Sequence, residues 1–188
     1  MSRGRGPRWC LSLAWLLSLG ACPGETGRAT AGPRLEVRWK GTDSATLRAP
    51  ATAFWCDSLN LLEIVALAGD TGIAIAIYPR DGIATGAYPV RLPAAADSAP
   101  PSSAVALRWF SQTAVRGFQS DSGALSLTRE TNGTLSGQFR AVAHPVNGKG
   151  TMRLTGSFSD LRERPASRGC STAPPPEAKR PDSASGLD

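Results

Sequence analysis

Two stretches near the end of the chain decide its fold: LSGQFRAVA at residues 135–143 and MRLTGSFS at residues 152–159. In the first, Leu135, Gly137, Phe139, Ala141 and Ala143 alternate with Ser136, Gln138, Arg140 and Val142. In the second, Met152, Leu154, Gly156 and Phe158 alternate with Arg153, Thr155, Ser157 and Ser159. A third stretch alternates Leu125 and Leu127 with Ala124, Ser126 and Thr128. A period of two gives each segment one dry and one wet face, as a half-buried β-strand requires. A helix would scatter the serines into the core.

Turn chemistry sets the expected register. A two-residue turn at Asn147-Gly148 suits a type I′ hairpin and puts Val146 opposite Lys149. Extending that ladder sets Phe139 across from Gly156 and Gly137 across from Phe158, so that each ring covers a glycine on its partner strand. At Asn132-Gly133 a two-residue loop would oppose dry Leu127 to wet Gln138. A three-residue loop, Thr131 to Gly133 with Gly133 left-handed, instead opposes Leu127 to Gly137 and Leu125 to Phe139. The hydrophobic pattern selects the longer loop, because a slip of one residue reverses every side chain. The same turn explains the Asn132-Gly133-Thr134 sequon without a glycan.

Working outward, Leu35, Val37 and Trp39 alternate inward with Glu36 and Arg38. Leu61 to Ala68 and Ile73 to Tyr78 flank the separator Gly69-Asp70-Thr71-Gly72. The run Ile73-Ala74-Ile75-Ala76-Ile77 is apolar on both sides and predicts a central strand whose isoleucines meet Leu62 and Ile64. A short helix over residues 58–68, stopped by Gly69, is the alternative. Pro89 marks an edge or strand end within residues 82–90. Residues 93–103, rich in Ala, Pro and Ser, predict a surface loop, and strands resume over 104–110 and 113–119. Eight to ten short strands with hairpin connections predict an all-β fold, one antiparallel β-sandwich or β-barrel.

The N-terminus carries an address. Arg3, Arg5 and Arg8 precede a run from Cys10 to Ala21 that is apolar apart from serines and Gly20. That is the order of a charged n-region and a short h-region. The run is shorter than the roughly 20 residues a helix needs to span a bilayer. Leu19-Gly20-Ala21-Cys22 resembles a lipobox, in which the cysteine accepts a lipid and becomes the new N-terminus. The resemblance implies a signal peptide over 1–21, lipidation of Cys22 and a membrane anchor in a bacterial cell envelope. Pro23, where an Asp would imply inner-membrane retention, points to the outer membrane facing the periplasm. Residues 22–33 form a flexible tether, 34–171 the β domain, and 172–188 a Pro-rich tail with too little apolar surface to offset ordering. The whole layout resembles that of uncharacterised secreted bacterial lipoproteins, a likeness that brings no active site with it.

Cysteine usage agrees with export. With Cys10 removed and Cys22 lipidated, Cys56 and Cys170 remain as a pair, and paired cysteines in exported proteins usually form a disulfide. Closing so long a loop is nominally worth about 4–5 kcal/mol. Two distant thiols and the single histidine, His144, do not match metal-ligand spacing, so neither metal nor cofactor is expected.

The charge balance argues against nucleic acid. The formal charge is +6, but Arg3, Arg5 and Arg8 supply three of those charges, leaving +3 for residues 22–188. The remaining basic residues are dispersed, not gathered in a dense patch. Mild positive charge still favours anionic membrane surfaces or polysaccharides. Catalytic signatures are missing as well. Gly-x-Ser-x-Gly and phosphate loops do not occur, and Asp57, Asp70 and Asp81 suit turns. The reading is therefore a non-catalytic binding module for an apolar or glycan ligand. Trp39, Trp55, Tyr88, Arg108 and Trp109, with Phe110, are candidates to line its cavity; each aromatic also suits a packed core. The alternative is a structural or interaction lipoprotein, an envelope-assembly partner or hydrolase inhibitor, with no small-molecule pocket.

Overall fold

The computed structural model describes residues 32–111 and 114–165. The expected signal peptide, Cys22, most of the tether, Cys170 and the tail lie outside the described residues.

Nine strands occur among the described residues: β1 (Arg34–Lys40), β2 (Ser44–Cys56), β3 (Leu61–Ala68), β4 (Thr71–Tyr78), β5 (Gly86–Arg91), β6 (Ser102–Ser111), β7 (Ala114–Arg129), β8 (Thr134–Pro145) and β9 (Met152–Pro165). A single-turn helix, α1 (Pro93–Ala96), and a 3-10 turn at Asp57–Leu59 complete the list. The fold is all-β. Neighbouring strands pair around a ring, β1-β2-β3-β4-β6-β5-β7-β8-β9, and β9 pairs back onto β1, so the sheet closes as a barrel.

Two short strands are wedged into that ring. β1 separates the first half of β2 from β9; beyond its end Ala53, Phe54 and Trp55 run parallel to Glu163, Arg164 and Pro165. β6 pairs with the start of β7 from Ala106 to Ser111, after which β7 pairs with β5 instead. β5 pairs with β6 only at Val90 and Ser103, so Pro89 sits where little pairing is lost, as its missing N–H requires.

Three buried serines suture this split. Ser120 Oγ accepts from Val105 N at 2.9 Å and donates to the Arg91 carbonyl at 3.2 Å, joining β5, β6 and β7. Ser103 Oγ donates to the Tyr88 carbonyl at 3.1 Å, and Ser102 Oγ to the Ala96 carbonyl. Where regular pairing is interrupted, side chains satisfy the buried backbone.

The expected register holds where the alternation is strongest. Phe139 pairs with Gly156, Gly137 with Phe158, Leu125 with Phe139 and Leu127 with Gly137. A Cβ on Gly137 would overlap the Phe158 ring, and one on Gly156 the Phe139 ring, so both glycines are covered. Gly133 is left-handed at φ 79°, and Glu130 and Thr134 close the three-residue loop with a 2.8 Å hydrogen bond. Leu62, Ile64 and Ala66 meet Ile77, Ile75 and Ile73, with β4 central between β3 and β6.

Other expectations need correction. Of the two readings of residues 61–68, the strand paired with 73–78 holds as β3 and the alternative helix over 58–68 does not form, because Leu62, Ile64 and Ala66 alternate into the core. The separator at 69–72 shrinks to Gly69-Asp70, since Thr71 already pairs with Ala68. Residues 93–103 are not all loop: Pro93 opens α1 and β6 begins at Ser102. The strands are not uniformly short, since the stretches expected separately at 113–119 and 124–128 belong to one 16-residue strand, β7. An extra residue, Asp121, bulges between Ser120 and Ser122 and keeps the alternation in phase on both sides. A second bulge, with Asp160 left-handed at φ 58°, returns Leu161 to the core.

The two-residue turn at Asn147-Gly148 does not form. The last pair is Ala143 with Met152, and residues 146–151 make a wider loop in the same register. Val146 N donates to the Gly117 carbonyl at 2.8 Å, so β7 claims the residue expected to face Lys149.

Candidate functional site

The five candidate lining residues do not form one cavity. Trp39 and Trp109 stack near one end of the barrel, with centroids 5.9 Å apart, and Phe118 extends the stack at 5.0 Å from Trp109. Trp39 is buried, and its Nε1 has no hydrogen-bond partner among the described residues. Trp55 lies at the other end of β2 from Ala45, the residue paired with Trp39, and its Nε1 donates to Asp57 Oδ1. Tyr88 is buried, its hydroxyl donating to the Ala84 carbonyl at 2.8 Å. Arg108 points outward. The inward aromatics join the core of Leu35, Val37, Ile64, Ile75, Leu125, Phe139 and their neighbours, which fills the interior. Phe118, absent from the expected set, is recruited by its position opposite Leu107.

His144, expected in a loop, is part of β8 and pairs with Gln119. The bulge at Asp121 brings the Asp121 carboxylate to 2.7 Å from His144 Nε2, while Nδ1 lies 3.0 Å from the Gly150 carbonyl. Both ring nitrogens thus face acceptors, and among the described residues no hydroxyl is bonded to either. The partners of His144 are Asp121 and Gly150, and Asp57 is instead engaged by Trp55. The Asp121 carboxyl is held below its usual range by the Ser122 hydroxyl first and by His144 second. Among the described residues no cluster of three or more His, Cys, Asp or Glu could hold a metal.

The concave features lie on the outside of the barrel. One wall carries a trough of about 450 Å³ over β3, β4, β6 and β7. Its floor is made of Gly72, Ala74, Ala106 and Gly117, small residues at outward positions. Register aligns Leu67, Gly72, Arg108 and Gly117 across four strands, and Val146 packs beside Gly117. Leu67 and Val146 are more than half exposed, and so are Phe110 and Val115, which pair across β6 and β7 next to Arg108 and Gly117. Four large apolar side chains therefore gather on one wall. Sequence reading missed this patch because Leu67 and Val146 lie far apart in the chain and reach the same wall only through the register.

The opposite wall, over β1, β9 and β8, is polar. A groove of about 890 Å³ there is lined by Arg38, Lys40, Arg153, Gln138, Thr155 and Ser157, among others. Glu36 is held below the usual carboxylate range by its hydrogen bond to Arg48, which grips it at 3.0 and 3.1 Å. An outer surface carrying Arg38, Arg140 and Arg153 within strands, around an apolar interior, is the inverse of a barrel that spans a membrane.

No protein-family model, no curated protein and no solved structure matches this chain.

Proposed function

We propose that this chain is an exported, lipid-anchored, non-catalytic barrel that docks a partner protein of the cell envelope on the outer wall of β3, β4, β6 and β7. The observation that carries this reading is a trough floored by glycine and alanine and lined by the exposed Leu67 and Val146, with the exposed Phe110–Val115 pair further along the same wall, outside an interior already filled by side chains. A contiguous exposed apolar patch is costly in a soluble domain unless a partner covers it. Glu63 and Arg108 stand at opposite ends of the trough, so the partner segment presents an apolar ridge with an acid towards Arg108. A filled interior favours this interaction role over an enclosed apolar or glycan ligand.

The anchor rests on the n-region, h-region and Cys22 of the sequence, with the outer membrane facing the periplasm as the location. A Cys56–Cys170 disulfide belongs to the same reading. Pro165 pairs with Trp55, the neighbour of Cys56, and only four residues separate it from Cys170. Intact-mass analysis should find an acylated Cys22 and, in the unreduced protein, a Cys56–Cys170 peptide pair; free thiols at both sites would refute the exported form.

Docking is tested with a photo-reactive residue at position 67, 146 or 126 in living cells. The same envelope protein should be captured from 67 and 146 but not from 126, on the far wall, and Leu67→Asp should abolish capture from 146. Identical adducts at all three positions, or none, would remove the docking reading.

A further inference from the structure

A separate observation concerns the polar wall. Lys40 and Arg153 are direct cross-strand partners, and so are Arg38 and Thr155, with Arg140 on the far side of Thr155. Like charges directly opposite each other destabilise a sheet. Among the described residues Lys40, Arg140 and Arg153 take part in no ion pair, although carboxylates elsewhere are paired. The one acid lining the groove, Glu36, is already bonded to Arg48 and also lies 4.0 Å from Arg38. Lys40 and Arg153 thus line the groove with no acid to answer them, and Arg38 shares the single acid there with Arg48. The Lys40–Arg153 pair adds repulsion to the sheet, not attraction.

We infer that the groove over β1, β9 and β8 is a binding site for an acidic polysaccharide, with Lys40, Arg153 and Arg38 taking its anionic groups and Arg140, the cross-strand neighbour of Thr155, flanking them. The cations form two rows two residues apart along the strands, about 7 Å by strand geometry. Such spacing suits a repeating charge better than a single anion. Between and around the rows, Gln138, Thr151, Thr155 and Ser157 offer hydroxyl and amide partners for sugar hydroxyls. No aromatic ring lines the groove, so bases have no stacking platform. No large apolar side chain lines it either, so it lacks the means to enter a bilayer. This site is distinct from the apolar docking wall and stands or falls without it.

The test uses the full chain in detergent micelles, titrated calorimetrically with polygalacturonate oligomers. Neutral dextran oligomers and phosphatidylglycerol vesicles are the comparison probes. Polygalacturonate should bind and weaken as salt rises, dextran should not bind, and the vesicles should bind more weakly. The double variant Lys40→Gln/Arg153→Gln should lose about tenfold in affinity, the scale of two exposed ion pairs. Its melting temperature should hold or rise, because a like-charge pair has been removed. Arg80→Gln/Arg91→Gln makes the same change in net charge elsewhere and should leave affinity within about twofold. Equal losses in both double variants, equal binding of dextran, tighter binding of vesicles, or no binding of polygalacturonate would each overturn the inference.

Discussion

His144 Nε2 and Asp121 Oδ2 lie 2.7 Å apart, tying the end of β8 to the one residue that β7 pushes out of register. Without the bulge Asp121 would occupy a regular position in the β7–β8 ladder; with it, the carboxylate reaches His144 and the Ser122 hydroxyl, 2.7 Å away. His144 in turn holds Gly150, so the pair also restrains the loop at 146–151. Because the Asp121 carboxyl is depressed in the folded protein, its stabilisation is fully present above the ordinary aspartate value of 3.8 and is lost as pH falls through the lower folded value. Asp121→Asn should therefore lower the melting temperature at neutral pH and converge with the wild type in strong acid. A constant offset between the two melting curves down to the acid limit would contradict this.

Gly137 illustrates the cost of filling a covered position. A Cβ there would overlap both the Phe158 ring and the Ser126 carbonyl. Gly137→Ala should destabilise by about 1–3 kcal/mol, the range for overpacked cores. Ala143→Gly, on the same strand but away from the rings, is the comparison for backbone effects. Urea unfolding of both variants decides the matter, and a Gly137→Ala protein as stable as wild type would show that the rings move aside.

Ser120 bonds two backbone groups of neighbouring strands, Val105 N and the Arg91 carbonyl. Ser120→Ala should cost about 1–3 kcal/mol, the penalty for leaving buried groups unpaired. Ser126→Ala, on the exposed outer face, should change stability by less than about 0.5 kcal/mol. Hydrogen exchange at the Val105 amide gives an independent reading: protection there should fall in Ser120→Ala and be unchanged in Ser126→Ala.

The left-handed Gly133 closes the loop that fixes the β7–β8 register. Space is not limiting at this position, so backbone conformation alone sets the effect of substitution. Gly133→Ala should cost about 1 kcal/mol and Gly133→Asn less, since Asn tolerates this region better. Chemical denaturation of the three proteins should rank them Gly, Asn, Ala; a reversed order would mean that the loop adopts another turn.

The candidate site was less legible than the fold. Trp39, Tyr88 and Trp109 were named for their chemistry, and the barrel uses them chiefly for packing. Leu67 and Val146 carry no motif, yet register sets them beside Gly72 and Gly117 on one exposed wall. Lys40 and Arg153 are likewise ordinary residues until β1 and β9 pair.

Alternation and turn residues act over a few positions, so they were readable without any coordinates: the dry faces of β1, β4, β8 and β9, the loop at Gly133, and the phenylalanine–glycine ladder. The Asn147-Gly148 turn was misread because β7 competes for Val146 from outside that hairpin. Ring closure, the wedging of β1 and β5, the bulge at Asp121 and the two contrasting outer walls depend on pairings between segments far apart in the chain. Those pairings are selected by how whole strands share one interior, a property no local stretch of residues contains.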